Sequence, residues 1–194
     1  LGYQALHIGT GYVGCTAAGY QALYNNTAGY NTAFGFQASV SNTGGTENCT
    51  FGSQAGYSLT TGSNSVAMGS NALFSADTES NNTALGHHAL KDLSGGQYNV
   101  AVGAFAGDDA TTADYGTYVG YSAGSATLTG AYNTLIGAFA GADMTSGTQN
   151  SLVVIECGQN ITSGSFNCGM SRQALNDLTE GSYNTAVGYN AGHD

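Results

Sequence analysis

Proline and tryptophan are absent from this chain, and fixed positive charge is reduced to Lys91 and Arg172. Twelve acidic residues against two basic ones leave a formal net charge of −10 at pH 7. Nucleic-acid binding needs a basic footprint, and there is none. An anionic membrane surface is disfavoured for the same reason. No run of 18 apolar residues occurs, so no membrane insertion is expected. Only 7% of residues are charged, which is low for a disordered segment. The 31 glycines follow no Gly-X-Y period, which excludes collagen. The chain also lacks Gly-x-Ser-x-Gly, zinc signatures and a P-loop. Glu47, Glu79, Glu156 and Glu180 are widely separated, with no sign of a paired acid and base. No catalytic residue, cofactor or metal site is therefore expected, and the chain is not read as an enzyme.

What the sequence has instead is a 17-residue internal repeat over its whole length. With Gly188 as phase zero, steps of 17 lead back through Ser171, Val154, Gly137, Gly120, Gly103, Gly86, Gly69 and Gly52 to Gly35. One step of 16 reaches Gly19, and a last step of 17 reaches Gly2. A fixed period of this size marks a solenoid, in which each coil buries its apolar face on its neighbours. The fold expected is all-β: a parallel β-solenoid (β-roll) of about 12 coils, with residues 1–194 as one continuous array. At about 4.8 Å per coil the rod would be roughly 55 Å long. Leu1-Gly2 already sits inside a repeat and Asp194 ends at phase +6. The expectation is a window of a longer protein, without a leader peptide, or a unit capped by other chains.

Each phase has its own character. Phase −1 is apolar throughout, as in Phe34, Met68, Leu85, Ile136 and Val187. Phase −3 holds Thr, Val, Ser or Cys, and phase −2 is mostly Ala. Phases −5 to −1 read as a short strand with period-2 alternation. The large groups at −1 and their partners at −3 are expected to face the coil's own core, with −2 pointing away. Phase +3 is Ala everywhere except Cys157, which suggests a narrow gap between two layers. Gly at zero and at +10 marks two turns. So thin a core is expected to need partner chains to bury enough surface.

Two columns raise the question of ligand or scaffold. Asn31, Asn48, Asn82, Asn99, Asn133, Asn150, Asn167 and Asn184 fill phase −4 and are read as a structural ladder of stacked amides or turn caps. Tyr30, Tyr98, Tyr115, Tyr132, Phe166 and Tyr183 form an aromatic column near phase +12. Stacked aromatics stabilise adjacent strands, and an exposed Tyr also offers a sugar a flat face and a hydroxyl. The tyrosines are the candidate surface contacts.

Cys157 and Cys168 fall in one coil, where Cys157 replaces the Ala of phase +3 and phase-zero Gly is lost at Val154 and Ser171. A disulfide across the coil would explain the joint change; two small buried thiols are the other reading. Cys15 and Cys49 are too far from each other, and Cys49 from Cys168, to pair within one chain. His87 and His88, as adjacent strand residues, would face opposite ways and make poor joint ligands. Asp108, Asp109 and Asp114 have the oxygens calcium prefers. The calcium-binding β-roll nonapeptide is absent, so a solvated turn is expected. Asn25, Asn48, Asn81 and Asn160 sit in Asn-x-Ser/Thr sequons, about as many as chance supplies in this composition. They are glycosylation candidates wherever the source glycosylates Asn.

Asn184-Thr185-Ala186-Val187-Gly188-Tyr189-Asn190-Ala191-Gly192 resembles the head repeat of trimeric autotransporter adhesins. That family's unit runs Asn-Ser-Val-Ala-Ile-Gly, and Asn64-Ser65-Val66-Ala67-Met68-Gly69 is nearly that string. The chain is also similar to phage tail-fibre-like repeat proteins, and the resemblance covers almost all of it. It implies a left-handed parallel β-roll, three chains side by side, and a role as stalk or adhesive head. The period of 17 departs from the shorter adhesin repeat and favours the fibre-like branch.

The function expected is a structural and adhesive segment of an extracellular, cell-surface or virion fibre. Its partners would be copies of itself, as a trimer or filament, and a glycan or cell-surface receptor held by avidity. One alternative is a self-assembling extracellular filament, since exposed end coils invite strand pairing. A second is an ice-binding solenoid, which needs a flat outward Thr array. Thr32, Thr83, Thr117, Thr134 and Thr185 offer one at phase −3, but on the face expected to point inward. A polysaccharide depolymerase would fit the architecture but lacks its carboxylate pair.

Overall fold

A parallel coil needs a segment that pairs with its equivalent one turn away, and corners that bring the chain back. The computed structural model describes residues 1–7 and 13–192, which form strands, turns and bends without a helix. Asp194 lies outside them. The strands are β1 (Thr16–Ala18), β2 (Thr32–Phe34), β3 (Cys49–Phe51), β4 (Val66–Met68), β5 (Thr83–Leu85), β6 (Val100–Val102), β7 (Thr117–Val119), β8 (Thr134–Ile136), β9 (Ser151–Val153), β10 (Cys168–Met170) and β11 (Thr185–Val187). They build one 11-stranded sheet in chain order. Every pairing is parallel, as in Thr32↔Cys49 and Cys49↔Val66, one repeat apart. Thr16 meets Thr32 across the single 16-residue step. That coil lacks the residue of phase +11, between Gly29 and Tyr30, so the deletion falls in a corner and the sheet keeps its register.

The strands cover phases −3 to −1, shorter than the −5 to −1 expected. The residue at −5 is left-handed, with φ of 60° at Tyr98, 55° at Tyr115 and 62° at Tyr132, which interrupts extended geometry. Left-handed residues recur at +2 and +4 as well, many of them not glycine: Gln54 (57°), Leu73 (50°), His88 (59°) and Leu90 (49°). Phase zero is more extreme, with φ of 140° at Gly69 and 145° at Gly86. A Cβ there would also run into the carbonyl of the next coil's phase-zero residue. Phase +10 is different. Gly62 and Gly96 have ordinary φ and are glycine because a Cβ would strike the neighbouring coil's backbone.

The sides of the sheet are the reverse of the expectation. Phase −2 is inside: Ala33, Ala84, Tyr118, Leu135 and Leu152 are fully buried. Phase −1 is outside, with Phe34 37%, Leu85 42% and Met170 51% exposed. The reason is room. Across from the strand stand the buried residues of phases +3, +4 and +7, among them Ala89, Leu90 and Leu93. A coil this narrow accepts one large side chain at a given level. Where −2 is Tyr118, Leu135 or Leu152, +4 is Gly124, Gly141 or Gly158, and a Cβ on each of these would lie within 3.0 Å of one of those side chains. At Gly107, whose own −2 is Ala101, the space is taken by Leu90 and Tyr118 of the adjoining coils. Where −2 is Ala67 or Ala84, +4 is Leu73 or Leu90. Volume is conserved level by level, as close packing requires.

Candidate functional surfaces

The phase −4 asparagines lie inside the coil wall. Asn150 donates its amide to the Gly164 carbonyl at 2.9 Å, and its Oδ1 accepts the Asn167 backbone N–H at 2.9 Å. Asn31, Asn48, Asn82, Asn99, Asn133 and Asn167 make the equivalent pair of bonds to the following coil. Asn184, half-buried at the end of the column, donates to Asn167 Oδ1 at 3.1 Å. With both ends of the amide used, the ladder fastens coil to coil. Ser65 takes one turn in the column, and its hydroxyl accepts the Asn82 N–H at 3.2 Å. Gly116 takes another, because the Tyr118 hydroxyl occupies the space a side chain would need. Burial pushes the Tyr118 phenol well above its ordinary range, and its hydroxyl has no hydrogen-bond partner.

Asn48 is therefore no glycosylation acceptor: it is 2% exposed and bonded at both ends of its side chain. Asn25, Asn81 and Asn160 are half-buried and reach the surface. The aromatic column does lie outside, but its rings cover one another. Tyr98, Tyr115 and Tyr132 stack at 4.9 and 5.0 Å with interplanar angles of 6° and 3°, and Phe166 stacks on Tyr183 at 4.8 Å. Within a stack the flat faces a sugar would seek are taken. Edges and hydroxyls point out. Tyr30 is 61% exposed and stands beside Gly14.

Two further ladders run along the coil, each visible in the sequence as a column. Gln21, Gln37 and Gln54 each donate to the glutamine one coil earlier at 3.0 to 3.2 Å, starting from Gln4. Their signal was the recurring Gln at +2. Thr129, Thr145 and Thr162 each donate to the carbonyl of the next threonine at 3.1 to 3.2 Å, a signal carried by Thr at or next to phase +8.

Cys157 and Cys168 form no disulfide. All four cysteines are free. Cys157 is buried inside, whereas Cys168 begins β10 on the outward side. The joint change in that coil is a volume exchange: Gly169 at −2 leaves room for the Cys157 sulfur, against which a Cβ would press at 2.5 Å. Burial pushes the Cys157 thiol up to about 11. His87 and His88 are not on opposite faces either. They occupy the corner after β5, with ring centroids 4.0 Å apart. The Asn71 amide donates to His88 Nε2 at 3.2 Å, and burial, then the neighbouring His87, lowers the His88 pKa. Lys91 sits 2.9 Å from Asp92 and 3.9 Å from Asp108. Burial raises the Asp108 carboxyl to about 6. Asp114 stands apart from this cluster and caps the Gln97 N–H at 2.6 Å. Among the described residues no group of three or more His, Cys, Asp or Glu could hold a metal ion, and no pocket opens.

No family model, no curated protein and no solved structure matches this chain. The functional reading rests on its own surfaces. Broadest among them is the outward face of the sheet, where Phe34 stacks on Phe51 at 4.9 Å and a row of Met, Leu, Val and Ile continues to Val187. Period-2 alternation gives no signal for which side of the sheet is exposed, so this face is found only in the structure.

Proposed function

We propose that this chain is a structural and adhesive segment of an extracellular or virion fibre, assembled with copies of itself, a three-chain bundle being the arrangement the resemblance implies. The observation that carries the reading is axial repetition. Coils are tied to their neighbours by the sheet and, through most of its length, by the Asn ladder. A chain built this way resists extension along its axis and shows similar side chains at about 4.8 Å intervals. Such spacing suits many weak contacts acting together rather than one deep site. The row of Tyr98, Tyr115 and Tyr132 hydroxyls is the contact surface for a glycan or receptor.

Light scattering with electron microscopy tests the structural half: discrete rods of three chains are expected, and a monomer at all concentrations overturns it. A glycan array tests the adhesive half. Binding that is lost in a Tyr98→Ala, Tyr115→Ala, Tyr132→Ala variant is expected; no binding, or binding that survives the triple change, overturns it. A second reading gains from the reversed sheet. Thr32, Thr83, Thr117, Thr134 and Thr185 lie on the outward side, which an ice-binding face requires, although Cys49, Val66, Val100, Ser151 and Cys168 interrupt them. Thermal hysteresis from the isolated chain would favour that reading over the fibre.

A further inference from the structure

We propose that the outward face of the 11-stranded sheet is the seat of a second copy of this chain. The inference rests on the fibre reading and names the surface through which copies meet. None of the first and third residues of the strands is charged, although the chain carries a net charge of −10. The carboxylates are concentrated in the segments between strands, as at Asp77, Asp92, Asp108, Asp109 and Asp143. The sheet face is thus a side on which two acidic rods can approach without bringing like charges together.

Area supports the same occupant. Ten spacings of about 4.8 Å and a strip about 15 Å wide, from phase −3 to the exposed aromatics of phase +1, give roughly 700 Å². That approaches the ~800 Å² per partner of a stable protein interface. Phase +1, the edge of that strip, carries Tyr20, Phe36, Tyr121 and Ile155, which are 38 to 51% exposed, with Ser53, Ser70, His87 and the single charged Arg172 in the same column. A second rod of the same repeat matches it in axial spacing, so ridges formed by one phase −1 column meet grooves of identical period.

The test uses the intact chain and two outward residues that touch no interior column, Val102 and Ile136. A Val102→Lys, Ile136→Lys variant is compared with wild type by light scattering and circular dichroism. An oligomeric wild type and a folded, monomeric variant are expected. An oligomeric variant overturns the proposal and leaves the fibre reading standing, since association then uses another face. A monomeric wild type overturns both. Should the variant fail to fold, native thiols in wild type decide. Cys49 and Cys168 lie on the seated face and Cys157 is buried. Maleimide labelling of Cys49 and Cys168 is expected to slow by at least about tenfold from dilute to concentrated protein. A rate independent of concentration overturns the proposal.

Discussion

Gly86 shows how tightly one residue can be specified here. Its φ of 145° is strained for any side chain, and a Cβ would run into the carbonyl of Gly103 across the coil gap. Gly86→Ala is expected to cost about 3 kcal/mol or more, measured by denaturant unfolding. Val154 holds the same phase at φ 96°, so Val154→Gly should stabilise by about 1 kcal/mol as strain is released. Tyr118 carries a buried hydroxyl without a partner. Tyr118→Phe is expected to raise stability by about 1 kcal/mol, because an unpaired polar group leaves the core. Asp108 gives a pH signature. Its folded pKa of about 6 lies above the ordinary 3.8, so the folded state holds the proton more strongly. The penalty is full above pH 6, shrinks as pH falls toward 4, and is absent below. Asp108→Asn should therefore raise stability by about 1 to 2 kcal/mol at pH 7 and by nothing at pH 4, as read from paired melts.

At the scale of the element, strand and ladder depend on each other. Asn150 satisfies a buried carbonyl and a buried N–H of the next coil. Asn150→Ala is expected to cost about 2 to 4 kcal/mol, since both groups lose their partner. Asn150→Ser should cost about half as much, because Ser65 already accepts an N–H in the same column. Chemical unfolding of the two variants checks the order. The position of each strand was legible from the phase −1 apolar residue and, except at β9 and β10, the following glycine, and the amide ladder from the Asn column. The left-handed residues at −5, +2 and +4 were not legible, because Tyr, Gln and Leu carry no signal for that backbone region. Cys157 misled for a related reason: a Cys in an Ala column reads as chemistry until Gly169 is seen beside it.

The whole molecule is a one-dimensional stack in which every strand pairs only with its sequence neighbours. Removing one complete repeat, residues 69–85, joins β4 to Gly86 in phase and should leave a folded rod of ten strands. Removing eight residues from the same stretch leaves too little chain to complete that one coil and breaks the stack at its junction, so the melt should split into two transitions. Circular dichroism melts of the two deletions distinguish these outcomes. Low cooperativity over long distances also follows, so variants in distant coils are expected to add in free energy.

The sequence by itself determined the period, the phase of each coil, the parallel in-register sheet and the columns that become ladders. Those follow from repetition, because identical segments one turn apart meet identical partners. Only the tertiary structure decided which side of the sheet faces in. Alternation says that phases −1 and −3 share a face; it does not say which face closes on the core. The habit of placing the larger apolar group inside fails in a coil whose interior already holds Ala at +3 and Leu or Gly at +4. The narrow cross-section sends Phe34, Leu85 and Met170 outward, and a column of large apolar residues becomes part of the surface.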